Sequence, residues 1–127
     1  MVILDTSIII DHLRRSSHES ILIKLFETHP GQTFGISVIS IQELYEWKST
    51  KDKIKENYLL STVGSLEILP YNSEIAKMAG KIARDLKNPI DFADAAIAAT
   101  TIMSKGELFT LNVKHFKDIS DLEMISI

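Results

Sequence analysis

Asp5, Glu43 and Asp94 are the residues of this 127-residue chain whose types and settings best suit chemistry. Asp5 ends the apolar run Val2-Ile3-Leu4. A run this short, apolar at successive positions and rich in β-branched residues, suits a central strand of a parallel sheet covered on both faces. Asp5 would then stand at the carboxyl edge of that strand, where open α/β sheets bind ligands. Glu43 follows a second short apolar stretch, Phe34 to Ser37, on a helix opened by Ser40. Asp94 shares with Asp91 the first turn of DFADAAIAATTIMSK, a segment apolar almost all round, as in a helix packed on several sides.

Each acid also has a plainer role open to it. Asp5 suits a turn or a cap between strand and helix. Ser40 and Glu43, in S-I-Q-E, match a capping box. Asp91 and Asp94 lie on one face of a first turn, where the helix dipole favours anions by about 0.3–1 kcal/mol. Capping accounts for Asp91 but less well for Asp94, because a carboxylate on a largely buried helix is costly unless it is paired or bound to metal. No basic residue lies on the adjoining turns. Two carboxylates about 4 Å apart repel by about 4 kcal/mol at an effective dielectric of 20, so a cluster of Asp5, Glu43 and Asp94 calls for a counter-cation. An all-oxygen donor set points to Mg²⁺ or Mn²⁺.

The elements that must position these acids alternate along the chain. After the first strand, Thr6 and Ser7 offer an N-cap to a helix carrying Ile8, Ile9, Ile10 and Leu13, and a second helix spans Glu19 to His29 before Pro30-Gly31. A charged amphipathic helix at Lys51 to Val63 leads to a strand at Leu66 to Leu69. Ser73 caps the next helix, whose Lys77, Lys81, Arg84 and Lys87 form a solvated face. The helix from Asp91 stops at Gly106 and is followed by a strand at Leu108 to Leu111 and a last one at Leu122 to Ile127. Strands separated by helices predict an α/β fold with a five-stranded parallel sheet in one domain, residues 1–127.

Composition removes several function classes. Zero cysteines exclude disulfides, thiolate metal sites and cysteine nucleophiles, and fit a reducing compartment. The net charge of −3 argues against holding nucleic acid through a broad basic surface, so such a substrate needs metal ions or a partner. The longest uncharged apolar stretch is far too short for a membrane span, and no basic signal region opens the chain, which predicts a cytoplasmic location. His12, His18, His29 and His115 lack HxxxH spacing and read as surface or packing residues. No glycine-rich phosphate loop or GxSxG elbow is present.

VILDTS at the start, SVISIQEL around Glu43, DAAIAATTI from Asp94 and LFTLNVKHF near the end occur in the order and at the spacing of a known family. With them the whole chain resembles the PIN-domain ribonucleases, and among those the VapC-type toxins of prokaryotic toxin–antitoxin pairs. The resemblance implies a PIN-like three-layer fold and a Mg²⁺- or Mn²⁺-dependent endoribonuclease. Asp5, Glu43 and Asp94 would hold metal, and Ser7 and Thr110 would orient ligands or water. Where the family often has a fourth acid, two residues after Thr110, this chain has Asn112. A neutral oxygen there weakens any second metal site, with Asp91 a candidate replacement for the missing charge.

A ribonuclease without a regulatory segment needs inhibition in trans, so the partners expected beside RNA are a small VapB-like antitoxin, presenting an Arg to the acids, and a second copy of the chain. Some of the apolar residues of the early helices, Ile8, Ile9, Ile10, Leu13, Ile21, Leu22, Leu25 and Phe26, are expected to face one of them, with core packing the competing explanation. Two rivals are a PIN-like binding module with weak catalysis and a receiver-type phosphoacceptor domain. The receiver type needs an Asp ending the third strand and a Lys ending the fifth, which Leu69-Pro70-Tyr71-Asn72 and the C-terminus do not supply. A haloacid-dehalogenase-like phosphatase is excluded because Asp5-Thr6-Ser7 lacks the second Asp of DxDxT.

Overall fold

The computed structural model describes residues 1–15 and 19–126, so the reading of His18 lies outside the described residues. Four parallel strands, β1 (Val2–Leu4), β2 (Phe34–Ser37), β3 (Glu67–Leu69) and β4 (Glu107–Phe109), form one sheet in the order β3-β2-β1-β4. β1 pairs with β2 through Ile3 opposite Gly35 and with β4 through Ile3 opposite Leu108. Its three residues are fully buried, as their apolar run requires of a central strand.

The alternation of side chains along β1 divides the core in two. Val2 and Leu4 join Ile8, Ile9, Leu22, Leu25, Leu44 and Leu59 on one face. These belong to α1 (Thr6–Arg14), α2 (Ile21–Thr28), α3 (Val38–Tyr45) and α4 (Lys53–Val63). Ile3 packs on the other face with Ile97, Ala98, Leu108 and Phe116. That layer holds α5 (Ser73–Asp85), α6 (Phe92–Met103) and the short α7 (Val113–Phe116). Residues Ala95 to Thr101 of α6 are all buried, and Thr100 and Thr101 satisfy their hydroxyls by donating to the carbonyls of Ala96 and Ile97. The predicted solvated face of α5 is exposed at Lys77, Lys81 and Arg84, while Lys87, also exposed, lies beyond the end of the helix at Asp85.

Several expectations are corrected. Among the described residues the sheet has four strands, not five, because the C-terminal segment meets β4 only at a single parallel bridge, Leu108 to Met124. The Leu108 N–H donates to the Glu123 carbonyl at 2.8 Å and the Ile125 N–H to that of Leu108 at 3.0 Å. At this edge Asp121, Glu123 and Ser126 stay exposed, so the segment gains too little burial to extend the pairing.

Ser37, not Ser40, caps α3 by accepting from the Ile39 N–H, and Asn72, not Ser73, caps α5 by accepting from that of Ile75. A 3₁₀ turn at Lys48–Lys51 precedes α4, which Asp52 caps. The left-handed residue ending α6 is Lys105, at φ 56°. Gly106 serves close approach, since a Cβ there would meet the Met1 carbonyl oxygen at 2.8 Å. The early apolar residues are used by the core: Ile8, Ile9, Leu22 and Leu25 are fully buried, and Ile10, Leu13, Ile21 and Phe26 pack against them half-buried. Core packing therefore claims most of the surface expected to face a partner.

Candidate active site

Where β1 ends, the Asp5 N–H still donates to the Phe109 carbonyl at 3.0 Å, carrying the ladder one residue past the strand. Asp5 occupies the cap position of α1, yet its carboxylate makes no capping bond. Instead Oδ2 accepts from Ser7 Oγ at 2.8 Å and from Thr110 Oγ1 at 2.7 Å. Those hydroxyls are themselves fixed, Ser7 by the Leu111 N–H and Thr110 by the Asn112 N–H. The expected orienting residues thus hold Asp5, which is only 3% exposed.

Glu43 is not in a capping box. Because α3 begins at Val38, the acid falls on the second turn, and Ser40 is a buried helical residue whose Oγ lies 2.7 Å from Thr6 Oγ1. Thr6 Oγ1 is also 2.6 Å from Glu43 Oε1. A threonine hydroxyl has one proton and an ionised carboxylate only accepts, so Thr6 donates to Glu43 and takes the Ser40 proton. Asp94, in the first turn of α6, presents Oδ2 to His115 Nδ1 at 3.0 Å. His115, read from sequence as a surface or packing residue, is the partner Asp94 lacks on its own helix.

A cavity of about 300 Å³ at the carboxyl edge of the sheet is lined by Asp5, Glu43, Asp91, Asp94, Ser7 and Asn112, together with Thr6, Ile10, Glu46, Trp47 and His115. The structure therefore gathers every acid singled out in the sequence. Thr110 stands just behind the lining, against Asp5. Asp91 has the backbone position of a cap on α6 but makes no capping bond, and Asn112 likewise makes none on α7. Glu46, Trp47 and His115 escaped the sequence reading. Glu46 and Trp47 follow the end of α3, and no local spacing ties His115 to Asp94, 21 residues away.

The electrostatics are those of crowded anions. Burial first, and then the charge of Asp5, pushes Asp94 up to about 6, against the opposing pull of His115. Burial raises Glu43 as well, with Asp5, Glu46 and Asp91 adding to it and the Thr6 hydrogen bond opposing it. Asp5, Glu43 and Asp94 each use one carboxylate oxygen on a protein donor, and among the described residues the other has none. No partnerless side-chain oxygen there is buried, so these oxygens open to solvent.

As they stand, no three Asp, Glu or His side chains among the described residues are close enough to hold one ion. A small hard cation does not require that cage, since Mg²⁺ keeps several waters and binds through one or two carboxylates. The donor set, all oxygen with excess negative charge, fits such an ion.

The PIN-domain family pattern matches residues 2–122. Ribonuclease VapC10 of Mycobacterium tuberculosis is 31% identical over 127 residues, covering 97% of this chain and 91% of the relative. Ribonuclease VapC19 of the same organism is 27% identical over 126 residues, covering 97% and 98%. The 2.2 Å resolution structure of VapBC-1 from nontypeable Haemophilus influenzae superposes with a TM-score of 0.80 at 27% identity, over 99% of this chain and 98% of that one. With the acids gathered at one sheet edge and the family pattern spanning nearly the whole length, the chain belongs to the PIN-domain family, in its VapC branch.

Proposed function

We propose that this chain is a Mg²⁺- or Mn²⁺-dependent endoribonuclease acting in the cytoplasm as the toxin of a toxin–antitoxin pair. The observation that carries the reading is the convergence of Asp5, Glu43 and Asp94 on one cleft, each with one oxygen fixed and one open. Similarity to the VapC ribonucleases supports RNA as the substrate. Similarity to the VapBC structure supports a small VapB-like partner.

Asp5, Glu43 and Asp94 would hold the metal, which when bound lowers the pKa of water and neutralises charge developing on the phosphate. Ser7 and Thr110 keep Asp5 oriented, Thr6 does the same for Glu43, and His115 holds Asp94. Asp91 and Asn112 border the cavity, one adding charge and the other a neutral amide. A homodimer inhibited by an antitoxin Arg completes the reading, because a guanidinium can pair with two carboxylates and displace metal.

Asp94→Ala should remain folded and lose RNA cleavage, and EDTA should abolish cleavage by the parent. Undiminished cleavage by folded Asp94→Ala would remove this residue from the site and refute the mechanism. Co-expression with a neighbouring small protein should yield a silent complex that co-purifies, whereas a harmless free monomer with no such neighbour would refute the toxin assignment.

A further inference from the structure

The acidic cavity opens at both ends. At one end it shares Asp91, Asp94 and His115 with a cavity of about 370 Å³ bordered by Lys114 and Lys117. At the other it shares Ser7 and Trp47 with a cavity of about 600 Å³ bordered by Arg14 and Arg15. The three adjoin as one trough, most acidic at its centre, and beyond the shared acids each flank carries two cations and one carboxylate, Asp118 beside Lys114 and Lys117 and Asp11 beside Arg14 and Arg15. Arg15 is paired with Asp11 at 2.6 Å, but Arg14, Lys114 and Lys117 have no carboxylate partner among the described residues. The Arg14 guanidinium instead lies over the half-buried indole of Trp47, 5.1 Å from its centroid.

Resting on the nuclease reading, we propose that the trough seats a single-stranded RNA segment, with Lys114 and Lys117 binding its backbone on one side of the acids and Trp47 with Arg14 binding a nucleotide on the other. Net charge of −3 leaves no general attraction for RNA, so cations placed on both flanks of the acidic centre decide where a backbone can lie. The acids at the centre would accept the phosphate to be cut only through the metal they hold. At the Trp47 end a base takes the place of the Arg14 guanidinium on the indole, and the freed guanidinium turns to the adjoining phosphate. Stacking of this kind needs an unpaired base, which makes the trough selective for single strands over duplex.

Trp47 is the only tryptophan of the chain, so the intact protein carries its own reporter at one end of the trough. Fluorescence titration of Asp94→Asn, which should bind RNA without cutting it, uses a single-stranded oligoribonucleotide and a blunt duplex of the same sequence as probes, with anisotropy of labelled RNA measuring binding independently. The single strand should quench Trp47 and the duplex should not. Trp47→Ala should weaken single-strand binding about ten-fold, and Trp47→Phe, which keeps a stacking face and fills the same packing, should restore most of it. Lys114→Ala with Lys117→Ala should lower the slope of log K against log salt by about 0.7 for each phosphate that is no longer neutralised. RNA that binds by anisotropy while Trp47 emission and the salt slope stay unchanged would overturn the trough and leave the nuclease standing. Absence of both binding and cleavage for any RNA would overturn the nuclease reading, and the trough with it.

Discussion

Asp94→Asn should stabilise this protein at neutral pH when divalent ions are absent. Asp94 is pushed from 3.8 to about 6 by burial and by Asp5, so the folded chain binds its proton more tightly than the unfolded chain does. An acid raised in this way costs nothing below pH 3.8, where it is protonated in both states, and costs progressively more as pH rises to about 6. Each unit corresponds to about 1.4 kcal/mol, which sets a ceiling of about 3 kcal/mol for the charged form. The side chain keeps 16% exposure, and allowing for solvent screening the expected gain is about 1–3 kcal/mol. Asparagine retains an oxygen for His115 and removes the charge facing Asp5 and Asp91.

Thermal unfolding in EDTA should therefore show Asp94→Asn melting above the parent, by roughly 3–6 °C per kcal/mol for a domain of this size. The difference should shrink as pH falls from 6 towards 4. Added Mg²⁺ or Mn²⁺ should stabilise the parent by mass action and leave the variant unmoved, reversing the order at high ion concentration. A variant no more stable than the parent at neutral pH in EDTA, with its fold intact, would refute the argument that like charge strains the site.

Thr110→Val removes the buried hydroxyl that donates to Asp5 and receives the Asn112 N–H, so unfolding by urea should show a loss of about 1–3 kcal/mol, accompanied by reduced RNA cleavage. Asn112→Asp should tighten divalent-ion binding and Asn112→Leu should weaken it by calorimetry, and equal affinities in all three proteins would place residue 112 outside the metal's surroundings. His12 is buried between Ser20 Oγ at 2.8 Å and the Tyr58 hydroxyl at 3.0 Å. Burial holds this imidazole below its usual range, with Asp11 opposing, so the folded state resists its protonation. Its contribution to stability is thus complete above 6.5 and is lost as pH falls through the folded value, and His12→Asn should flatten that part of the pH–stability curve.

The parts of the fold legible in the sequence were those set by continuous burial. Val2-Ile3-Leu4 reads as a central strand because neither face has a polar residue, and the helix after Asp91 reads as buried because alanines surround it. Caps were less legible where two candidates compete: Ser37 and Ser40 are three residues apart, and only the strand's end decides between them. That shift moved Glu43 one turn deeper than a capping box and exposed its real partner, Thr6. The acids could be found because each abuts an apolar segment. His115 could not, because its link to Asp94 depends on how α7 packs beside α6, and Trp47 could not, because its place beside Arg14 follows from the packing of α1 against α3. The fifth strand failed for a related reason, since the apolar residues of Leu122 to Ile127 show capacity to pair but not how much sheet remains beside them.

The bond between Thr110 and Asp5 spans 105 residues of sequence, and the His115 that holds Asp94 lies further still along the chain. A ribosome releases the first strand long before the hydroxyl that orients its acid exists, at about 5–20 residues per second. The early layer can bury Val2 and Leu4 against α1 and α2 during that interval, but the pocket stays unfinished until β4 slides in beside β1. A nascent or prematurely terminated chain of this kind therefore leaves Asp5 and Asp94 without the donors that orient them. The acidic pocket is thus among the last parts of the fold to be completed, although its first acid is the fifth residue made.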